Sequence, residues 1–253
     1  MASNSNFSIN QLRDYSSLFS RNQVKSWFKN DFISIDHKIH RYDKEWLNST
    51  KATYIDYLRY VYGILVNHYP NEYVFKNTFL NEYLIEDIVV GDSQVYSELR
   101  VGNAVADLAI FNGTSKVFEI KTEMDSAKRL DFQLENYQKA FNEIYLVLSE
   151  SRLKQYQHIT EEIGIILYQP DFPNNFLFYR KSFVNKTVDK NTIMKVLHTH
   201  EYKNLVKKHF GTLPKMTSFN QFEICRKLIL QIPNDLLNSY FISIMKARQK
   251  PIA

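Results

Sequence analysis

Four ionisable side chains, Glu98, Asp107, Glu119 and Lys121, sit in a stretch that otherwise reads as buried sheet. Burying charge is costly unless the charge is paired or holds a metal, so these residues are the first candidates for chemistry. Gly102-Asn103 is a strong two-residue hairpin signal. If those two residues form the loop, 101 pairs with 104, and the constant pairing sum of 205 sets Glu98 opposite Asp107. Carboxylates facing each other across an antiparallel pair lie about 5 Å apart and repel unless a cation or a shared proton separates them. A divalent cation is the simplest resolution. Glu119 and Lys121 are two apart and share one face of the next strand, with Phe118 and Ile120 on the other. Asp107 joins that face only if the second and third strands pair with an even sum. The loop at Asn112-Gly113 must then hold three residues or a bulge. Under that condition the four side chains form one patch. Hard oxygen donors of this kind suit Mg²⁺ or Mn²⁺, whereas zinc would call for His or Cys. The chemistry implied is phosphodiester hydrolysis, with the cation acidifying water and Lys121 steadying developing charge.

The elements that must position this patch follow from periodicity. Short β runs at 95–101, 104–111, 116–121, 143–149, 163–169 and 175–180 are interrupted by helices near 126–142 and 151–159. That order predicts an α/β fold with a mixed β-sheet flanked by helices. Residues 8–69 hold one glycine and no proline, and apolar positions such as Trp46, Tyr57, Val61 and Leu65 recur at helical spacing, so two or three helices are expected, the first capped by Ser8 or Asn10. Another helix is expected over 73–90, with Glu82 and Glu86 on one face, which reads as a solvated face or as one from which one of the two reaches a metal site. Helices near 189–210, 219–231 and 234–248 complete a C-terminal appendix. The domain reading is 1–72 helical, 73–184 the sheet core, and 185–253 a basic helical region. His198 and His200 are two apart on one predicted helix, do not share a face there, and are set aside as a metal pair. Asp125 reads as a cap or near-cap for the helix after it.

Composition excludes several classes. A hydrophobic content of 44% and a charged content of 23% are those of a folded globular chain and not of a disordered one. The sequence shows no leader-like start and no apolar run long enough to span a bilayer, so a cytoplasmic protein is expected. The lone Cys225 has no disulfide or zinc partner. The net charge of +5 is uneven: residues 185–253 carry 12 Lys or Arg against 4 Asp or Glu, and the rest of the chain is slightly acidic. A basic segment beside an acidic one points to a polyanion partner.

Asp107, eleven intervening residues, Glu119-Ile120-Lys121, and then a helix bearing Gln133 and Tyr137 together resemble the core of the PD-(D/E)XK nuclease superfamily, and within it a sparsely characterised bacterial group. The likeness covers about residues 73–181 and extends more weakly into the C-terminal helices. Ala106 stands where the superfamily name has Pro, and the arginine that precedes the Asp in the narrower group is absent. The resemblance implies a restriction-endonuclease-like fold in which Asp107, Glu119 and the backbone carbonyl of Ile120 bind Mg²⁺ or Mn²⁺ and Lys121 is catalytic. It also implies that Gln133 and Tyr137 orient DNA and the site, and that Glu98, or else Glu82 or Glu86, supplies a third acidic group. Arg129 is a candidate phosphate clamp or a plain helix-surface residue. The function implied is a metal-dependent nuclease acting on DNA, in a setting such as defence, repair or mobile-element biology. The alternatives are a catalytically silent nucleic-acid-binding module, or a nuclease subunit that needs a partner protein; a homo-oligomer also stays open.

Overall fold

A computed structural model of the chain describes residues 7–48, 53–84, 93–123, 125–169 and 175–248. It divides into two compact units, Met1–Thr78 and Phe79–Ala253. The division falls six residues beyond the expected boundary at 72. The C-terminal helices share one core with the sheet and do not form a third unit.

The first unit is helical: α1 (Ile9–Ser17), α2 (Arg21–Trp27), α3 (Ile33–Tyr42), a 3-10 turn (Lys44–Asn48), α4 (Tyr54–His68) and α5 (Glu72–Thr78). Four α-helices therefore stand where two or three were expected before Pro70. Ser8 caps α1 by accepting the Gln11 N–H. Thr53 and Asp56 form a reciprocal capping box at the start of α4. Tyr15, Leu18, Ile35, Tyr57, Val61 and Leu65 fill the core. Asp43 is buried among them and accepts hydrogen bonds from the hydroxyls of Tyr15 and Tyr57, each at 2.7 Å.

The second unit is organised by a six-stranded sheet of β1 (Gln94–Val101), β2 (Ala104–Phe111), β3 (Ser115–Lys121), β4 (Glu143–Ser149), β5 (Gly164–Tyr168) and β6 (Phe176–Arg180), paired in sequence order. The first three strands and the last pair are antiparallel, while β3–β4 and β4–β5 are parallel. The parallel steps follow from their connections, α6 (Leu130–Gln138) and the short α7 (Leu153–Tyr156), which carry the chain back across one face. Tyr137, Leu134 and Leu130 of α6 pack into the core on that face. Phe79 covers the other face, against Phe118 and Phe176.

Four helices follow: α8 (Lys190–Val196), α9 (Thr199–Phe210), α10 (Gln221–Ile229) and α11 (Asn234–Ala247). The single helix expected over 189–210 is two, because Leu197 and His198 are both extended. The break needs no Gly or Pro: Glu201, three residues into α9, accepts the His198 backbone N–H at 2.6 Å and stabilises a fresh helix start. Phe241 of α11 packs edge-on against Phe111 of β2, and the Tyr96 hydroxyl of β1 donates to the Met245 carbonyl. Among the described residues no helix is long and apolar enough to cross a membrane.

The expected helix over 73–90 is described only in its first part. After α5 the chain makes one wide helical turn, Phe79–Tyr83, and residues 85–92, Glu86 and Ile88 among them, lie outside the described residues.

Candidate active site

The strand pairing keeps the register sums that the patch requires on either side of Glu98 and Asp107. Every β1–β2 pair sums to 205, from Gln94 with Phe111 to Val101 with Ala104, and Gly102 takes φ 59° in the two-residue turn. Every β2–β3 pair sums to 226, from Leu108 with Phe118 to Phe111 with Ser115. The loop is therefore Asn112-Gly113-Thr114, with Gly113 at φ 98°, a value that favours glycine. Continued by one step, the even sum sets Asp107 opposite Glu119.

One feature departs from regular pleat. The same buried cluster takes Ala104 and Ala106 from one half of β2 and Ala109 and Phe111 from the other, so the in–out alternation shifts at Asp107–Leu108. On β1 the matching shift lies between Leu99 and Tyr96, around Glu98, which adopts φ 57°. Left-handed backbone at a non-glycine residue costs about 1–2 kcal/mol. The expectation that Glu98 meets Asp107 as a regular facing pair is corrected accordingly. Glu98 holds the opposing register position, but its backbone is turned out of the strand conformation, and its exposed side chain also borders a neighbouring cavity.

Glu119 is the centre of the cluster and is 2% exposed. Lys121 Nζ donates to Glu119 Oε1 at 2.8 Å and to Gln133 Oε1 at 3.0 Å, and Gln133 Nε2 donates to Glu119 Oε1 at 2.6 Å. The Tyr137 hydroxyl lies 2.7 Å from Glu119 Oε2 and 2.8 Å from the Val105 carbonyl, so its single proton is shared between two acceptors. Burial and the Glu119 charge push the Tyr137 pKa well above the ordinary phenol value and keep it a neutral donor. The Asp107 carboxylate accepts the Ile120 backbone N–H at 2.8 Å, which fixes it against the segment joining Glu119 to Lys121. Asp107 and Gln133 are only half-buried, so the cluster opens to solvent on their side.

Gln133 and Tyr137 are one helical turn apart on α6 and both reach Glu119, as i, i+4 spacing allows. Tyr137 is fully buried, so the reading of it as a nucleic-acid contact is corrected: the side chain holds Glu119 and presents nothing to a polymer. Arg129 is exposed just before α6, a placement that suits a surface residue as well as a clamp. Glu82 is exposed and pairs with Asn175. Asp125 caps no helix: it accepts the Thr122 N–H and hydroxyl at 2.8 Å each, closing the turn after β3.

Sequence reasoning missed Asn136. Its Oδ1 accepts the Asn103 N–H and lies where a Cβ on Gly102 would be, so α6 seats directly on the β1–β2 turn. No local pattern announces this contact, which spans 33 residues.

The break before α9 also reverses the argument that separated His198 from His200. With His198 in the cap position, the ligand atoms of His198, His200 and Glu201 lie within 4.8 Å of one another. Glu201 is nevertheless committed: Arg248 donates to both of its oxygens, at 2.6 and 2.5 Å, and His198 N–H to one of them. Burial alone would raise its pKa, but these donors outweigh burial and hold it below the usual carboxylate range. A cation there would meet a guanidinium and the positive end of a helix, which makes it a poor metal centre.

The fold and site thus define an α/β protein with a carboxylate–lysine cluster at a strand irregularity in a mixed sheet. Over residues 66–252 the sequence matches the family described as Bacteriophage P4 protein cII, and the chain belongs to that family. Protein cII of Enterobacteria phage P4 is 28% identical over 134 residues, which cover 51% of this chain and 51% of that protein. The chain therefore spans about half the length of that curated relative. Among solved structures, the SPO1766 protein of unknown function from Silicibacter pomeroyi is similar over 53% of this chain and 88% of that one, at 13% identity and a TM-score of 0.35.

Proposed function

We propose that this chain is a metal-dependent nuclease that hydrolyses phosphodiester bonds in DNA, with Asp107, Glu119 and Lys121 as its central groups. The observation that carries the reading is the pairing of a half-buried Asp107 with a buried Glu119–Lys121–Gln133–Tyr137 hydrogen-bond set, at the place where the strand alternation shifts. Conflicts with local sheet rules of this kind gather at functional sites.

The donor set fits Mg²⁺ or Mn²⁺. Asp107 and Glu119 offer hard carboxylate oxygens from neighbouring strands, the Asp107–Ile120 contact places the Ile120 peptide beside them, and Glu98 is the candidate third acid. When bound, the cation supplies charge neutralisation at the phosphoryl oxygens and acidification of water. The protein residues supply position. Tyr137 and Gln133 fix the Glu119 carboxylate, and Glu119 and Gln133 together fix the Lys121 ammonium. A pre-oriented ammonium stabilises negative charge on a phosphate in flight without reorganising to do so. The cytoplasmic setting and the DNA partner belong to this same reading.

Plasmid nicking with Mg²⁺ or Mn²⁺ tests it. Asp107→Asn is expected to lower cleavage by on the order of 10³-fold with little change in melting temperature. Lys121→Ala should lower cleavage to a similar degree, but unlike Asp107→Asn it should also lower the melting temperature, by about 3 kcal/mol of stability, because Glu119 loses its buried cation. Cleavage by either variant at the parent rate would overturn the assignment.

A further inference from the structure

Beside the carboxylate cluster, a cavity of about 390 Å³ lies between the edge strand β1 and the start of the C-terminal helices. Glu98, Arg100, Lys195, His198 and Arg248 border it. Lys195 closes α8 and His198 caps α9, so the cavity exists because the helix expected over 189–210 is broken there. Arg248 is fixed by its pair with Glu201, by a bond to the Val196 carbonyl and by lying over the Tyr96 ring. Arg100 and Lys195 are both exposed, and neither forms an ion pair among the described residues. Glu201 balances Arg248, and Glu98 is the one acid on the border among the described residues, which therefore give the cleft an excess of positive charge. Glu98 lies between Ser97 and Leu99, whose partners on β2, Leu108 and Ala106, flank Asp107, so the cleft borders the strand that carries the carboxylate cluster.

We propose that this cleft is a second phosphate-binding subsite, in which Arg100 and Lys195 take a backbone phosphate of the nucleic-acid strand next to the one at the carboxylate cluster. The inference rests on the nuclease reading for its substrate, and it assigns the C-terminal helices a direct part in holding that substrate. The chemistry recognised is a phosphate oxygen. Free phosphate is the rival source, but an open cleft on a sheet edge that borders the strand carrying a second anion-handling centre favours a nucleic-acid strand over a small ion.

The test uses the full chain carrying Lys121→Ala, so that cleavage does not confuse binding, with fluorescence anisotropy of a labelled 20-base-pair duplex across a salt series. Adding Arg100→Ala or Lys195→Ala is expected to weaken binding roughly three- to tenfold each and to lower the slope of log affinity against log salt by about one. Circular dichroism checks that the variants are folded. Unchanged affinity and slope would overturn the subsite, as would a parent that does not bind the duplex. So would inorganic phosphate that these two substitutions displace without any change in duplex binding, which would mark a free-anion site. Wild-type cleavage measured alongside separates the two claims. Cleavage with unchanged binding in the variants removes the subsite alone, and weakened binding in the variants without wild-type cleavage removes the nuclease reading alone.

Discussion

Asp43 in the helical unit and Glu119 in the sheet unit are both buried carboxylates that accept tyrosine hydroxyls, and the two sites differ in what else they contain. Asp43 in the helical unit is 3% exposed and is held by Tyr15 and Tyr57, with the Tyr60 hydroxyl farther away at 3.5 Å. Burial and the Asp43 hydrogen bonds push the pKa of Tyr15 and Tyr57 well above that of an ordinary phenol, so both stay neutral donors. Glu119 in the sheet unit is as deeply buried and also has a tyrosine donor, but it adds an ammonium, a carboxamide and a second carboxylate on the next strand. Its neighbours Asp107 and Gln133 reach solvent. A buried acid satisfied by neutral donors alone closes a core; one that shares its donors with a cation, beside an open second acid, is equipped to bind charge.

Removing one hydroxyl from each site should separate those roles most sharply. Tyr137→Phe is expected to lower cleavage about ten- to hundredfold, because Glu119 loses the group that orients it. Tyr57→Phe should leave cleavage intact and cost the helical unit about 1–3 kcal/mol by leaving Asp43 under-bonded. Plasmid cleavage and thermal melts on both proteins check this; equal loss of cleavage from the two variants would erase the distinction.

A smaller effect is expected at Glu98. Glycine tolerates φ 57°, so Glu98→Gly should raise stability by about 0.5–1 kcal/mol while shifting the Mg²⁺ dependence of cleavage to higher concentration. A variant that melts earlier than the parent would show that the backbone there carries no strain.

The smallest effect concerns acid. The folded-state pKa of Glu201 lies below its ordinary value of 4.5, so its contribution to stability is present above that value and is lost as pH falls through the lower folded one. Melts between pH 7 and pH 3 should therefore show Glu201→Gln less stable than the parent at neutral pH, with the gap closing below about pH 4.5. A gap that stays constant over this range would contradict the assignment of Glu201 as an ionised partner of Arg248.

The strand set and the pairing arithmetic were legible because hairpin turns and side-chain period are local properties. Gly102-Asn103 fixes one register, and the parity argument makes an odd loop at Asn112-Gly113 the condition for the site, which the loop Asn112-Gly113-Thr114 meets. The break at His198 was legible in principle from the three-residue spacing to Glu201, a capping pattern that helical periodicity conceals. Burial of Tyr137 was not legible, since an i, i+4 pair on a helix says which residues neighbour each other and not how deep they lie.

The sequence by itself determined the α/β order of elements and the first hairpin register, and it tied the grouping of Asp107, Glu119 and Lys121 to an odd second loop, because each depends on spacing along a strand or across a short turn. Only the tertiary structure decided that Gln133 and Tyr137 close on Glu119 and that Asn136 seats α6 on the first turn. It alone turned Glu98 out of the pleat and brought Lys195 and Arg248 beside Arg100. Those outcomes depend on contacts between residues up to about 150 positions apart, such as Arg248 over Tyr96. Packing of whole elements against one another sets such contacts, and no local pattern in the chain encodes them.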